Sequence, residues 1–376
     1  MKLAIVGGGA SGLMLASLLR HNNVNIEIVI LEKLDHAGKK ILMSGNGKCN
    51  LSNTNITTSC YNNEVGFKIA SSFNVENYFN KLGLLTYKDN EGRIYPVSNV
   101  ANSVLDVLRN SLTNVEILEN HNVTKISKNN NKYTIVTDKF DYIETDMVVL
   151  ATGGKTYYKE CNGYIIASML SHRVTSLRPT LTSLKVKENL ASIENLRAKV
   201  NAKLICNNNV VFEDNGEVLF KKDALSGIVI FQLSSMVARD PFKKYSIELD
   251  LMPSMSEEEL SKHIETYPSM TGMFAKMINQ YIIKNSISKN GKDIAHTIKH
   301  LKFNVLDNVE FKNAQVTAGG ININEVKETL ESKYNNNLYI LGELLDVDGI
   351  CGGYNLHFAF SSAYVAAQDI INKVGK

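Results

Sequence analysis

The chain has 376 residues, of which 44% are hydrophobic and 21% are charged, and its formal net charge is +3. This length allows more than one hydrophobic core, and the composition is typical of a globular protein. A net charge this small does not indicate nucleic-acid binding. The apolar runs are all shorter than the ~18 residues that a membrane span needs.

The cysteines are few, odd in number and widely spaced. No pair has the spacing of a zinc site or of a dithiol motif, so we predict no metal. The odd count indicates reduced thiols in a cytoplasmic protein, and the apolar run in "MKLAIVGGG" is too short for a secretory signal peptide. The five residues are Cys49, Cys60, Cys161, Cys206 and Cys351.

The first half of the chain reads as an α/β domain. Leu3–Val6 is an apolar strand, Ser11–Arg20 has apolar residues at helical spacing, and Glu27–Leu31 is a second buried strand. This order is a βαβ unit, which begins a parallel sheet. Further on, Val100–Leu112 is an amphipathic helix and Asp146–Ala151 is another apolar strand.

After Pro179 the pattern changes to alternating runs separated by turns. Such runs predict an antiparallel, barrel-like module, and residues 254–301 then read as helices. From Gln315 the chain returns to glycine turns, the strand Leu338–Leu341 and a helix around Ala359–Val374. We therefore predict one domain from residues 1–184 and 317–376, a barrel from 185–253 and 302–316, and a helical insert from 254–301.

A glycine motif follows the first strand. In "VGGGASG", Gly7, Gly9 and Gly12 have the GxGxxG spacing that lets a backbone turn approach a pyrophosphate at a helix N-terminus. Glu32 ends the next strand, where a carboxylate binds the ribose hydroxyls of a dinucleotide. The alternative is a glycine turn that only reverses the chain.

Two later turns favour FAD as the dinucleotide. "VVLATGG" (148–154) is a strand that ends in Ala-Thr-Gly, and "NLYILGELLDVDG" (337–349) is a strand that ends in Gly342–Glu343. In flavoproteins of the glutathione-reductase superfamily such a late turn meets the ribityl chain. The next helix, beginning near Gly353, would aim its positive N-terminus at the reduced flavin ring. Two unrelated surface turns are the alternative.

Four blocks carry a resemblance to a known family. "GKKILMSGNGKCNLSN" (38–53), "GRIYPVSNVANSVLDVL" (92–108), "VTAGGI" (316–321) and "GELLDVDGICGGYNLHFAFSSAY" (342–364) occur in order along the chain. They resemble a bacterial family described as aminoacetone-oxidase-like or bile-acid-reductase-like NAD(P)/FAD-dependent oxidoreductases. The resemblance implies a Rossmann-like FAD-binding domain built from both chain ends, with an inserted β-barrel-like domain and a small helical domain.

This sequence departs from the family at three places. The segment after "TGGKTY" is shorter, Cys351 replaces a small hydroxyl residue, and "KKDALSGIV" lacks the family's proline. The motif and the resemblance together predict the following FAD-binding residues: Gly7, Gly9, Ala10, Ser11, Gly12, Glu32, Lys33, Lys40, Ser44, Gly45, Gly47, Lys48, Cys49, Asn50, Val123, Thr152, Gly153, Gly154, Gly342, Glu343, Asp348, Gly352, Gly353, Tyr354 and Asn355.

The candidate catalytic residues are Lys48, Cys49, Asn50 and His357. The resemblance places the first three beside the flavin ring, where Lys48 would offset charge and Asn50 would hydrogen-bond. Cys49 is either a redox thiol, alone or paired with Cys351, or a small buried side chain. His357 is either a proton shuttle or a structural side chain.

Two further pairs have open interpretations. Arg93 and Tyr95 face the flavin or an acidic substrate group, or else lie on the surface. His296 and His300 are four apart on a predicted helix, as in metal pairs, but no third ligand is evident and a solvated helix face is the favoured interpretation.

The sequence therefore predicts a flavoenzyme that binds FAD non-covalently and carries out hydride redox on a small organic substrate. No second GxGxxG follows, so NAD(P)H would dock transiently, or the substrate would reduce the flavin and dioxygen would reoxidise it. Two alternatives stay open: a flavin-dependent tRNA-modifying enzyme and a non-catalytic flavin-binding redox sensor. We predict no nucleic-acid or membrane partner.

Overall fold

A computed structural model describes residues 1–156, 161–308 and 310–375. The chain forms two compact units, one from residues 1–177 with 316–376 and the other from residues 178–315. Tyr157–Glu160, in the shortened segment noted above, lie outside the described residues.

The elements are numbered in chain order within the described ranges. The strands are β1 (Lys2–Val6), β2 (Glu27–Leu31), β3 (Ser52–Asn53), β4 (Thr86–Lys88), β5 (Arg93–Pro96), β6 (Val115–Leu118), β7 (Val123–Asn129), β8 (Lys132–Thr137), β9 (Tyr142–Thr145), β10 (Met147–Leu150), β11 (Arg178–Thr180), β12 (Leu184–Val186), β13 (Arg197–Cys206), β14 (Asn209–Lys221), β15 (Ala224–Ser226), β16 (Tyr245–Asp250), β17 (Leu301–Asn308), β18 (Val316–Ala318) and β19 (Leu338–Ile340).

The helices are α1 (Ala10–His21), α2 (Lys39–Leu42), α3 (Glu64–Ser71), α4 (Val75–Lys81), α5 (Ala101–Asn110), α6 (Asn162–Met169), α7 (Ile228–Arg239), α8 (Glu257–Thr266), α9 (Lys276–Asn285), α10 (Gly291–Lys299) and α11 (Tyr354–Val374). Short 3₁₀ turns span Ser44–Gly47, Thr58–Cys60, Ala191–Ile193, Phe311–Asn313, Ile323–Glu325 and Gly342–Leu344.

A parallel sheet forms the centre of the first unit, with strand order β19-β10-β1-β2-β6. Val6 at the end of β1 is in register with Leu31 of β2 on one side and with Leu150 of β10 on the other. The carboxyl ends of these strands therefore lie along one edge. Ligands of open α/β sheets bind at this edge.

The strands at this edge are buried because both faces of the sheet are covered. Val6 and Leu31 are buried, and helices α1 and α11 pack against each other. The return of the chain to this sheet confirms the predicted α/β fold with its Rossmann-like domain made from both chain ends.

The second unit contains a closed antiparallel barrel with strand order β12-β15-β14-β13-β16-β17. This confirms the predicted barrel, with two differences. Where the sequence predicts short runs separated by turns, Asn209–Lys221 form one long strand, β14, and "IVIFQLSSMVAR" forms helix α7 where the sequence predicts none.

Helices α8, α9 and α10 share one apolar core with the barrel. Leu260 of α8, Ile282 of α9 and Ile298 of α10 join Leu204 and Phe303 of the barrel strands in a single buried cluster. The division of this unit into a barrel domain and a helical domain stays a prediction. Among the described residues, no helix combines the length and apolar character needed to cross a membrane.

Candidate flavin site

The glycine motif forms the turn between β1 and α1. Gly7 has a φ of +108°, and a Cβ there would lie 2.4 Å from Ala151 O. A Cβ on Gly12 would lie 2.1 Å from Gly7 O, so this glycine allows helix and strand to pack closely. A Cβ on Gly9, in contrast, would meet nothing nearer than Ala151 O at 4.0 Å. The turn therefore keeps space beside Gly9 and the free N–H groups of α1, where a pyrophosphate would bind.

Glu32 lies at the end of β2 and faces this turn. Its carboxylate accepts hydrogen bonds from Gly8 N and from Leu34 N, each at 2.9 Å. Burial raises the pKa of Glu32, and the two backbone N–H groups act in the opposite direction. The carboxylate is thus held in place by the glycine turn itself, at the position predicted for ribose binding.

A partly open pocket lies between the turn and Glu32. The predicted residues Gly7, Lys33, Val123 and Thr152 line it. Buried Thr152 Oγ1 has no hydrogen-bond partner among the described residues, as expected of a group that meets a ligand. Sequence reasoning missed further lining residues, which no motif marks: His121, Asn122, Cys161, Asn162 and Gly163.

Glu343 joins three other segments at the same edge. Its carboxylate accepts hydrogen bonds from Lys40 Nζ at 2.6 Å, Thr317 N at 2.9 Å and Gly154 N at 3.3 Å. Gly342 beside it packs on helix α1, because a Cβ there would lie 2.7 Å from Ser11 Oγ. Thr317 was not predicted, although the "VTAGGI" block contains it.

The "GNGKCN" loop and the start of α11 meet. A Cβ on Gly353 would lie 2.6 Å from both Asn50 Oδ1 and Ser52 O. Asn50 Oδ1 is buried with no hydrogen-bond partner among the described residues. Nearby Gly47 and Lys48 are exposed, whereas Ser44 and Gly45 lie at the start of the loop. The glycine turn before α11 is thus brought next to the "GNGKCN" loop and the residues that follow it. Asn53 and Gly352, which are 299 positions apart in sequence, are joined by a hydrogen bond.

The turn before α11 is fixed by its own side chains. Asn355 Oδ1 accepts from Gly349 N at 2.8 Å, and Asn355 Nδ2 donates to Gly349 O at 2.9 Å. Asn53 Nδ2 donates to Gly352 O at 3.0 Å. Tyr354 is buried against the ring of Tyr61. These contacts leave the N-terminal N–H groups of α11 next to Asn50, while Asp348 is buried in the preceding turn.

These residues fit FAD. The open space at Gly9, the carboxylate of Glu32 and the unpartnered oxygens of Thr152 and Asn50 are the donor and acceptor set that a dinucleotide needs. When bound, FAD supplies hydride chemistry; the chain supplies the glycine turn, the ribose acceptor and the helix N-termini.

Comparison with known proteins identifies the family. The model of the HI0933-like protein Rossmann domain matches residues 1–369. This chain belongs to that family. It is 32% identical to the 3-dehydro-bile acid delta(4,6)-reductase of Clostridium scindens, over 98% of both chains. It is 25% identical to the ribosomal RNA dihydrouridine synthase of Haemophilus influenzae, over 97% of both chains.

Solved structures confirm the fold. The 3-ketosteroid delta1-dehydrogenase of Sterolibacterium denitrificans superposes with a TM-score of 0.53 at 12% identity, over 99% of both chains. A chain of Escherichia coli quinol fumarate reductase gives a TM-score of 0.51 at 14% identity, over all of this chain and 71% of the other. The family member described here is an FAD-dependent oxidoreductase.

The two candidate redox thiols differ in environment. Cys49 is fully buried and has a φ of +57°. Burial raises the pKa of its thiol to about 12, although a hydrogen bond with Ser44 acts in the opposite direction. Cys351 is half-buried, and burial also raises its pKa. The five cysteines all lie in the described ranges, and none forms a disulfide. Cys49 is therefore a protonated thiol at neutral pH, which disfavours it as a nucleophile.

His357 is enclosed by two hydrogen bonds. Its Nδ1 lies 2.7 Å from Ser52 Oγ and its Nε2 lies 2.8 Å from Ala70 O. Since Ala70 O can only accept, Nε2 carries the proton and Nδ1 accepts from Ser52. Burial lowers the pKa of His357, and the bond to Ala70 acts in the opposite direction. This geometry favours the structural interpretation.

Arg93 and Tyr95 are also engaged. The Arg93 guanidinium donates to Asp89 and Glu91, each at 2.7 Å. Tyr95 stacks on Tyr87, with 5.8 Å between ring centroids. Arg93 is thus held by two carboxylates of its own turn. Outside this site, the structure places Glu257 beside the histidine pair His296 and His300, as a third potential metal ligand.

Proposed function

We propose that this enzyme reduces a carbon–carbon double bond conjugated to a carbonyl group in a small organic molecule. The observation that carries the proposal is the 32% identity, over 98% of both chains, to a reductase whose name specifies a 3-oxo bile acid with double bonds at positions 4 and 6. The alignment spans the inserted unit as well as the flavin site.

A second relative supports the same reaction class. Its name specifies reduction of uridine in ribosomal RNA, and the double bond of a uracil ring is also conjugated to a carbonyl. Addition of hydride to the far carbon of such a system places negative charge on the carbonyl oxygen, so one flavin chemistry serves both kinds of acceptor. We infer a small molecule rather than RNA because the identity is higher and the net charge is only +3.

We infer NAD(P)H as the electron donor, docking transiently. The sequence holds one GxGxxG motif, at Gly7, and the residues around that motif fit the FAD pyrophosphate. A nicotinamide nucleotide therefore has no second site of this kind. It would bind, transfer hydride and leave before the acceptor enters.

The test is an anaerobic titration of the purified, flavin-containing protein. NADH or NADPH should bleach the visible flavin spectrum, and a 3-oxo-4,6-diene steroid or a simple cyclic enone should restore it, with loss of one carbon–carbon double bond from the acceptor for each flavin reoxidised. A matched saturated ketone, which lacks the double bond, should leave the reduced spectrum unchanged.

Other results would replace the proposal. Restoration of the spectrum by uridine-containing ribosomal RNA alone would identify an RNA-modifying enzyme. Bleaching by a donor substrate, with reoxidation only by dioxygen, would identify an oxidase. A flavin that neither nicotinamide nor any organic donor reduces would favour a redox sensor.

A further inference from the structure

Three potential metal ligands lie close together in the second unit, whereas the residues that fit FAD belong to the first unit. His296 and His300 lie one helical turn apart at the end of α10, with 4.7 Å between ring centroids. Glu257 lies in the first turn of α8. One ligand atom from each residue lies within 4.8 Å of the others.

The candidate ligand atoms of the three residues lie close to one another. Glu257 Oε1 lies 3.1 Å from His296 Nδ1, and Glu257 Oε2 lies 3.5 Å from His300 Nε2. Ligand atoms around a tetrahedral zinc ion, with bonds of about 2.0–2.1 Å, are separated by about 3.3 Å. The two carboxylate–imidazole separations are thus close to the edge of a coordination tetrahedron, and the ligand atoms of the two histidines lie within 4.8 Å of each other.

The backbone around Glu257 is fixed. Ser256 caps α8 in a reciprocal capping box with Glu259, which determines where the first turn begins. Leu260 of α8 and Ile298 of α10 are buried in the same apolar cluster. Two helices held by a shared core therefore present Glu257 and the histidines to each other.

A second carboxylate orients His300. Its Nδ1 donates to Glu248 Oε1 of strand β16 at 3.1 Å, so Nε2 is the nitrogen that keeps its lone pair toward Glu257. Ligating histidines usually have this carboxylate partner on the other ring nitrogen. Lys302 Nζ, 3.3 Å from Glu248 Oε2, partly neutralises that second carboxylate and leaves Glu257 as the acidic ligand.

We propose that Glu257, His296 and His300 form a binding site for a divalent transition-metal ion of the zinc class, which links α8 to α10. Two imidazoles and one carboxylate suit zinc, nickel or copper, whereas magnesium prefers oxygen ligands. His296 is 57% exposed on its side chain, so the ion would keep at least one position open to water or to a further ligand.

The test is calorimetric titration of the flavin-containing protein, without a histidine tag, by zinc chloride and by nickel chloride. We expect saturable binding of one ion per chain with a dissociation constant in the micromolar range, no binding of magnesium chloride, and a rise in the melting temperature when zinc is added. His296→Gln, His300→Gln and Glu257→Gln should each weaken zinc binding at least tenfold.

Two further variants separate a built site from general surface affinity. His263→Gln changes another exposed histidine, on α8, and should leave zinc binding unchanged. Glu248→Gln keeps all three ligands but removes the partner of His300 Nδ1, and should weaken binding about tenfold. Far-ultraviolet circular dichroism of each metal-free variant checks that it folds.

The proposal is overturned if wild-type protein shows no saturable zinc binding, or if the three ligand variants bind zinc as wild type does. It is also overturned if His263→Gln abolishes binding. The readouts are affinity and melting temperature, so the result is independent of whether the enzyme reduces the acceptors proposed above.

Discussion

Lys40 and Glu343 lie 303 positions apart in sequence and form an ion pair, with 2.6 Å between Nζ and Oε2. The same carboxylate accepts the backbone N–H groups of Gly154 and Thr317. One acidic side chain of the late turn therefore fixes three other segments of the flavin domain. This arrangement explains why the glycine–acid turn so far along the chain is part of the first domain.

We expect Glu343→Gln to lower the free energy of unfolding by about 1–3 kcal/mol, because an amide cannot accept from all three donors and leaves a buried N–H unpaired. FAD should also dissociate faster. Lys40→Met is the matched control: it removes only a partly exposed ammonium and should cost less than about 1 kcal/mol. Urea denaturation measures the free energy of unfolding of each variant. Equal costs for the two variants would contradict this account.

Gly9→Ala and Gly12→Ala should separate cofactor binding from folding. A Cβ at position 9 enters space where the nearest protein atom is 4.0 Å away, so the flavin-free protein should fold and melt as wild type does. Its FAD affinity should fall at least tenfold, because the methyl group blocks approach of the pyrophosphate. Fluorescence titration with FAD measures this loss.

At position 12 the same substitution should act on the fold. The Cβ would lie 2.1 Å from Gly7 O, a backbone atom that cannot move away without opening the turn. We expect Gly12→Ala to lower the melting temperature even without FAD. If both variants kept their stability and their FAD, this turn would not be the pyrophosphate site.

Much of the flavin domain could be predicted because its markers are local. The Gly7–Gly12 motif and Glu32 follow directly from strand–turn–helix order, and they lie where that order predicts. Asn122 and Asn162 could not be predicted, since they reach the pocket only because α6 packs against β7. Glu257 likewise meets His300 only because α8 and α10 share a core.

Two differences from the sequence prediction in the inserted unit have physical causes. Helix α7 begins with Ile228, Val229 and Ile230, β-branched residues that favour strands. Val229, Leu233 and Val237 recur every four residues and are buried together in the core of this unit, and that spacing suits a helix. In β14, Asn215 and Gly216 have the composition of a hairpin turn. They instead continue the ladder, paired with residues of β13.

His357→Asn tests the structural interpretation of the histidine. The shorter side chain removes the hydrogen bonds that His357 makes with Ser52 Oγ and Ala70 O, and the long contacts of 3.4 Å that remain at these two oxygens replace them poorly. We expect a cost of about 1–3 kcal/mol in the free energy of unfolding. Turnover should stay within a few-fold of wild type, with an unchanged pH profile. Ser52→Ala, which removes the same hydrogen bond from the other side, should also reduce stability only. Loss of one limb of the pH profile in His357→Asn would instead identify a proton shuttle.

Glu331 should make stability depend on pH. It accepts hydrogen bonds from Lys327 Nζ at 2.7 Å, Lys373 Nζ at 2.8 Å and Asn337 N at 2.7 Å, so it ties the end of α11 to the turn before β19. Burial raises the pKa of Glu331, but Lys327, Lys373 and the Asn337 N–H together outweigh burial and lower it below the ordinary 4.5.

An acid whose pKa is lowered by folding stabilises the fold above its unfolded pKa, and the contribution disappears as pH falls through the folded pKa. The free energy of unfolding of wild type should therefore exceed that of Glu331→Gln by about 2 kcal/mol at pH 7. This difference should shrink only below about pH 4.5. Urea denaturation at several pH values measures this. Glu328→Gln, at an exposed position nearby, should show no such difference. If the difference in the free energy of unfolding between wild type and Glu331→Gln instead increased as the pH fell, the carboxylate would not be stabilised by its two lysines.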